Sequence, residues 1–314
     1  MKNLGRFLLS ALIVLFSVII VDTVAGKVLD WMLPQISVKT AMGKTYFALN
    51  EVEAPVVIIG SSRASHHYVS QIIEDSLGME AYNVGRDGCF FSYNVCVINS
   101  ILDRYTPEII IWENGSNSLY ENSDDPLENI YSYYKKNPWV TQIVNAEIEW
   151  DVRVYLMSNL YRYNSVIHRI VLRWFEKNGR ELDAEKGYEP LTPRRWIAEK
   201  QSEQNQDVQR NIDNLKIEML RKTFERAQLG GVNLIYVESP IYSENQASGL
   251  FGADKEVRRM ALEHGVCYVD NRNLDVFVGH SEYFNDRTHL NSIGAEMYTK
   301  IFIGQLRNKR ILTD

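Results

Sequence analysis

At 314 residues, with 45% hydrophobic and 24% charged side chains, the chain has the make-up of one large globular domain, or of one domain with an insertion. A formal net charge of -6 argues against nucleic acid as a partner, because there is no basic excess to neutralise phosphates. Three cysteines, Cys89, Cys96 and Cys267, supply no disulfide framework and no CxxC pair, and no His, Cys and acidic residues fall at ligand spacing, so no metal or other cofactor is expected.

Residues 1–36 stand apart. Lys2 and Arg6 precede Phe7–Val21, which is nearly all Leu, Ile, Val, Phe and Ala. Extended to Ala25, the apolar stretch reaches the ~20 residues a membrane span requires. A secretory signal has a similar basic start but a shorter apolar run and a small-residue cleavage site, of which Thr23-Val24-Ala25 is a weak version. Further apolar sequence, Val28-Leu29 and Trp31-Met32-Leu33, favours an uncleaved transmembrane helix. With the basic residues in front, the amino end is expected to stay inside and the body to face the extracytoplasmic side of the cytoplasmic membrane. Gln35–Glu53 is polar and aperiodic, so 37–54 reads as a linker and the main domain as 55–314.

After Pro55, Val56–Ile59 is an uninterrupted β-branched run closed by Gly60, the pattern of a buried parallel strand. His66–Leu77 has near-helical spacing and stops at Gly78. Ala81–Val84 is a short strand ending in the loop Asn83–Gly88. A helix over about Ser92–Tyr105 leads to a third strand, Ile109–Trp112, which ends in Glu113–Ser118.

Leu119–Asn205 breaks the alternation and is rich in Tyr and Trp. Tyr155–Lys177 has helical periodicity with basic residues Arg162, Arg169, Arg173 and Lys177. Such an insertion can cap a site, rest on a membrane or glycan, or simply pack its aromatics on one another. Gly187–Gln206, with Pro190 and Pro193, reads as a loop. Alternation then resumes: helix Asn205–Leu229, strand Val232–Val237, helix Asp254–His264, strand Val266–Val269 and helix Ile293–Leu306. Five strands alternating with helices predict an α/β fold, a three-layer α/β/α sandwich on a five-stranded parallel, flavodoxin-like sheet, with a helical aromatic-rich insertion and an N-terminal transmembrane helix.

Ligands bind outside the carboxyl ends of strands in such sheets, and Ser61-Ser62 stands just there after Gly60. The pair suits a nucleophile, although either serine can equally cap the next helix. Asn285–Asn291 holds Asp286 and His289, three apart on a turn entering a helix. That spacing lets the carboxylate orient the imidazole, as in a serine triad, while a plain Asp cap beside a surface His is the alternative. A serine hydroxyl needs a base such as His289 before it is nucleophilic.

Together these segments resemble the SGNH, or GDSL-type, hydrolases in four blocks: Gly60-Ser61-Ser62, Asn83 to Gly88, Gly115-Ser116-Asn117-Ser118, and Asp286 to His289. The resemblance spans about Pro55–Glu121 and Val232–Leu306. It implies Ser62 as nucleophile, His289 as general base and then acid, and Asp286 as its orienting carboxylate. It also implies an oxyanion hole made of the Ser62 and Gly88 backbone N–H groups and the Asn117 amide. Ser61 and Ser118 stand where the family has Asp. An α/β-hydrolase nucleophile elbow is disfavoured, because Ala64 occupies the position of the second glycine in Gly-x-Ser-x-Gly.

The function this implies is a membrane-anchored serine esterase acting through an acyl-serine on O-acyl esters, above all O-acetyl groups of a carbohydrate or cell-envelope polymer. Transfer of the acyl group to an envelope polysaccharide by the same triad is the first alternative. A non-catalytic glycan- or partner-binding envelope protein is the second. The expected partners are an acylated glycan or small ester, and the membrane through the N-terminal helix.

Overall fold

Pro55 has no N–H to give a ladder, and the four residues after it are β-branched, so the chain enters a strand at Val56 and stays extended to Gly60. The computed structural model describes residues 2–121, 123, 125–175, 185–194, 196, 211–244 and 252–308. Its elements begin with α1 (Lys2–Met32), α2 (Ala41–Asn50), β1 (Val56–Gly60), α3 (Ser62–His67), α4 (Ser70–Leu77), β2 (Ala81–Asn83), α5 (Phe91–Arg104) and β3 (Ile109–Glu113). Next come α6 (Pro138–Glu147), α7 (Trp150–Tyr155) and α8 (Ile167–Phe175). The chain closes with α9 (Asn214–Leu229), β4 (Asn233–Glu238), α10 (Gly252–Glu263), β5 (Cys267–Asp270) and α11 (Ser292–Asn308).

The five strands pair in parallel in the order β2-β1-β3-β4-β5, the expected flavodoxin-like sheet. Alternate strand residues feed two cores. Val56, Ile58, Ile109, Ile111 and Ile235 pack with Tyr68, Ile73, Tyr298 and Phe302 of the α3, α4 and α11 layer. On the other face Trp112 stacks on Phe91 of α5 at 5.7 Å and meets Phe224 of α9 edge-on at 6.2 Å. Strand order reverses at β1, so the loops after β1, β2 and β3 leave neighbouring carboxyl ends together, which is where such sheets place their sites.

The chain groups into two units, Met1–Tyr46 with Leu127–Glu181, and Phe47–Pro126 with Leu182–Asp314; the second contains the sheet. In the first, Trp31 of α1 packs on Trp174 of α8 at 5.6 Å, and Asp30 takes bonds from the Lys136 ammonium and the Tyr163 hydroxyl.

Local pattern and structure part in three places. Residues 41–50, read as part of an aperiodic linker, form α2. The single helix expected over His66–Leu77 is two, because at the break the Tyr68 carbonyl accepts from Asn83 Nδ2 and the Val69 N–H donates to Thr299. The helix expected over Tyr155–Lys177 is broken. Described residues there give the end of α7, a 3₁₀ turn at Tyr161–Tyr163 and α8, since the Asn159 and Leu160 N–H groups turn to the Asp22 carboxylate. Lys177, the start of the expected Asn205 helix and most of the loop ending at Gln206 lie outside the described residues.

Candidate active site

Gly60 ends β1 where no side chain fits: a Cβ there would press on the Glu113 carbonyl oxygen and come within 2.7 Å of the Ala64 methyl. The chain turns at once into α3, with Ser61 at the N-cap and Ser62 the first helical residue. Neither serine caps the helix through its side chain. Instead the Ser62 hydroxyl lies 2.7 Å from His289 Nε2, 227 residues away in sequence.

On the other side of the ring, His289 Nδ1 sits 2.9 Å from both Asp286 carboxylate oxygens. Asp286 also accepts the backbone N–H groups of Thr288 at 2.8 Å and His289 at 3.0 Å. It therefore does both jobs the spacing allowed, shaping its own turn and holding the imidazole. Partial burial pushes its carboxyl up, but the His289 bond and the Thr288 N–H outweigh that and hold it below its ordinary value. An ionised Asp286 fixes the proton on Nδ1 and leaves Nε2 as the acceptor facing Ser62.

Gly88 and Asn117 come from the loops after β2 and β3, which flank β1. Gly88 takes φ +67°, a left-handed conformation that glycine adopts freely. Both residues are exposed, and neither the Ser62 and Gly88 N–H groups nor the Asn117 amide is bonded to an acceptor among the described residues. Three uncommitted donors therefore stand at the ends of these adjacent strands.

The second block has a structural logic of its own. Buried Asn83 gives both amide hydrogens to α3 and its exit, at Ala64 O (2.7 Å) and Tyr68 O (3.1 Å), while its Oδ1 accepts from the Gly85 N–H at 2.9 Å. Gly85 lies flat on Ala64, where a Cβ would sit 2.6 Å from that methyl. Asn83 and Gly85 thus lock the serine-bearing helix to the loop that leads to Gly88.

Several contributing residues carried no signal in the sequence beyond their position near these blocks. Arg63, directly after Ser62, pairs with buried Glu113 at 3.0 Å, and Glu113 also accepts from the Tyr68 hydroxyl and the Ser239 N–H. Burial works against the Arg63 charge, but the Glu113 and Glu238 carboxylates more than offset it and raise the guanidinium above its ordinary value. His66 directs Nδ1 at the Glu189 carbonyl (2.6 Å) and Nε2 at Asp87 (3.1 Å). Both partners accept, so both ring nitrogens donate in the charged form. Burial opposes that form, yet Asp87 and the Glu189 carbonyl raise His66 above its ordinary value. The pair ties α3 to the residue before Gly88, and the His66 ring stands edge-on to His289 at 5.7 Å. Two adjacent histidines in the turn after the serine were the available hint.

No family model matches the chain, and no curated protein matches it. Solved structures resemble it at low identity. LAE5, an alpha/beta hydrolase enzyme from the metagenome of Lake Arreo, Spain, is 12% identical over 82% of this chain and 96% of that one, with a TM-score of 0.41. The lipase/acylhydrolase from Enterococcus faecalis is 11% identical over 81% and 96%, with a TM-score of 0.39. The acetyl xylan esterase AlAXEase is 11% identical over 80% and 99%, also with a TM-score of 0.39. Likenesses this distant carry no argument about activity, and the chemistry rests on the side-chain geometry.

Proposed function

We propose that the chain is a serine hydrolase of O-acyl esters, held at the extracytoplasmic face of a membrane by α1. The observation that carries this reading is the hydrogen-bonded series from Ser62 Oγ through His289 to Asp286. A pure binding protein has no need of a hydroxyl, an imidazole and a carboxylate in that order, whereas acyl transfer needs all of them.

In this reading Ser62 Oγ attacks the acyl carbonyl carbon while its proton passes to His289 Nε2. The carbonyl oxygen becomes an oxyanion met by the Ser62 and Gly88 N–H groups and the Asn117 amide, all free to receive it. His289 then hands the proton to the departing alkoxide, leaving an acyl-Ser62 ester. Water enters, gives its proton to His289 and attacks the acyl carbon; the carboxylic acid departs as His289 returns the proton to Ser62. The substrate expected is an O-acetyl group on a carbohydrate or cell-envelope polymer, which rests on the resemblance to SGNH hydrolases and on the aromatic insertion.

Retention of α1 as an anchor is supported by Asp22. Its carboxylate accepts bonds from Ser158, Asn159 and Leu160, and cleavage after Ala25 would sever that connection. None of the apolar stretch of α1 is buried.

A fluorophosphonate probe should label the wild-type chain and leave Ser62→Ala unlabelled, and acetate should be released from an acetylated glycan by the former alone. No labelling of the wild type would sink the hydrolase reading. Diversion of acyl groups from water to an added glycan acceptor would move it to transfer.

A further inference from the structure

Cover on α1 begins at one residue. From Asn3 to Val21 every side chain is exposed, including Leu4, Phe7, Ile13, Phe16 and Ile20. At 1.5 Å per residue that stretch is about 28 Å long, close to the ~30 Å thickness of a bilayer's hydrocarbon core. At Asp22 the surroundings change. Its carboxylate accepts the Asn159 N–H at 2.9 Å, the Leu160 N–H at 3.0 Å, the Asn159 amide at 3.1 Å and the Ser158 hydroxyl. One turn on, Asn159 packs so closely on Gly26 that a Cβ there would collide with it. The turn at 158–160 is therefore pinned to α1 at the level where the exposed apolar stretch ends.

Immediately before this turn lies α7. It contains Trp150, Val152, Val154 and Tyr155, yet it has no buried residue. Trp150 is 71% exposed, Val154 55%, Tyr155 54% and Met157, just past its end, 56%. Trp150 and Val154 stand at i and i+4, on one side of the helix, while Met157 follows in the turn beyond it with its sulfur against the Lys135 ammonium. The Tyr155 ring rests on exposed Tyr161 at 5.4 Å. Single exposed apolar side chains are ordinary on protein surfaces. A short helix with Trp150, Val154 and Tyr155 all exposed, attached where the uncovered apolar stretch of α1 ends, has the make-up of an interfacial element.

We infer that α7 and the turn through Tyr161 lie in the headgroup layer of the bilayer that holds α1, with Trp150 and Val154 directed into the acyl boundary. This rests on α1 being a membrane anchor. A lone spanning helix is free to rotate about its axis; a second contact at Asp22 level removes that freedom from the unit containing α1 and α7.

The test uses the full chain carrying Cys267→Ser, in vesicles of phosphatidylethanolamine and phosphatidylglycerol. Spin labels are placed through Trp150→Cys, Val154→Cys, Ile13→Cys within α1, and Glu263→Cys on the exposed end of α10. Labels at 150 and 154 should be several-fold more accessible to oxygen, relative to a water-soluble nickel complex, than the label at 263. The label at 13 should be deeper still. Labels at 150 and 154 as aqueous as that at 263, with 13 in hydrocarbon, would overturn the inference and leave the anchor standing. An aqueous label at 13 would remove the anchor and the inference with it. Shielding of 150 and 154 only through dipolar broadening between copies, or only on adding glycan, would assign the surface to a second copy or a sugar and reject the bilayer. In unlabelled protein, brominated lipid should quench tryptophan emission, and Trp150→Ser should lose part of that quenching; equal quenching in both would count against the inference.

Discussion

The Leu290 backbone N–H donates to His67 Nε2 at 2.9 Å, fastening the residue after His289 to the same short helix whose first turn carries Ser62. Because Nε2 accepts, the proton of His67 lies on Nδ1, which donates to Ser239 Oγ at 2.7 Å. Burial drives His67 well below its ordinary value, and the nearby Arg63 charge pushes the same way, so the ring stays neutral. α3 thus sets both ends of the Ser62–His289 bond. Replacing His67 by Ala frees Leu290 to drift, and misplacement of about an ångström can cost about 10² in turnover. His67→Ala should therefore lower kcat by that order with KM little changed, in protein shown to be folded by urea denaturation. An unaltered kcat would mean that His67 only fills space.

Asn117 offers a separation of activity from stability. Its side chain is exposed and makes no bond among the described residues, so Asn117→Ala should leave the melting temperature unchanged. If its amide meets the oxyanion, kcat should fall by about 10² to 10³. Ester turnover and a thermal melt on the same sample decide this. A loss of both together would make Asn117 a structural residue.

These expectations differ in how they could be read from residues alone. Ser62, Asp286 and His289 could be singled out from position, because Ser62 follows an apolar run closed by glycine and the Asp-His pair precedes a helix. Gly88 and Asn117 stood out only through the resemblance to SGNH hydrolases, and the roles of all five belong to the proposal. The sheet itself was legible because Val56–Ile59 and Ile109–Trp112 are too continuous to be half-exposed. The supports were not. Arg63 and Glu113 look like ordinary loop charges until the register that pairs Gly60 with Glu113 brings them together beneath the serine. In the insertion, periodicity over Tyr155–Lys177 suggested one helix. The turn there is made by Asp22, over 130 residues earlier, and no local window contains that contact.

Asp286 predicts a pH signature. Its folded value is lowered by the His289 bond and the Thr288 N–H against partial burial, so it contributes stability above its ordinary value near 3.8. That contribution disappears as pH falls through the lower folded value. Asp286→Asn should therefore flatten the acid side of the stability profile between pH 5 and pH 3, relative to wild type. The same variant should lose about 10⁴ in kcat, because an amide does not hold the proton on Nδ1 or balance a charged imidazole. Parallel acid melts of the two proteins would contradict the assignment of Asp286 as an ionised partner.

Glu238 works in the opposite direction. It closes β4, is 2% exposed, and lies 3.7 Å from Arg272, which also pairs with Asp254 and Asp270. Burial pushes its carboxyl up to about 7; Asp254 and Asp270 add to the rise, while Arg272 and Arg63 oppose it. Between the ordinary value of 4.5 and about 7 the folded chain binds more protons than the unfolded one. Stability must then fall as pH rises across that window, by on the order of 3 kcal/mol in full. Glu238→Gln keeps the shape and removes the titration. Its melting temperature should fall less than the wild type's between pH 5 and pH 8, by a few degrees. Every other titrating group is common to both proteins, so the difference isolates Glu238. Equal slopes would mean that Arg272 and Arg63 keep Glu238 ionised throughout and that no proton enters the buried charge cluster behind Ser62.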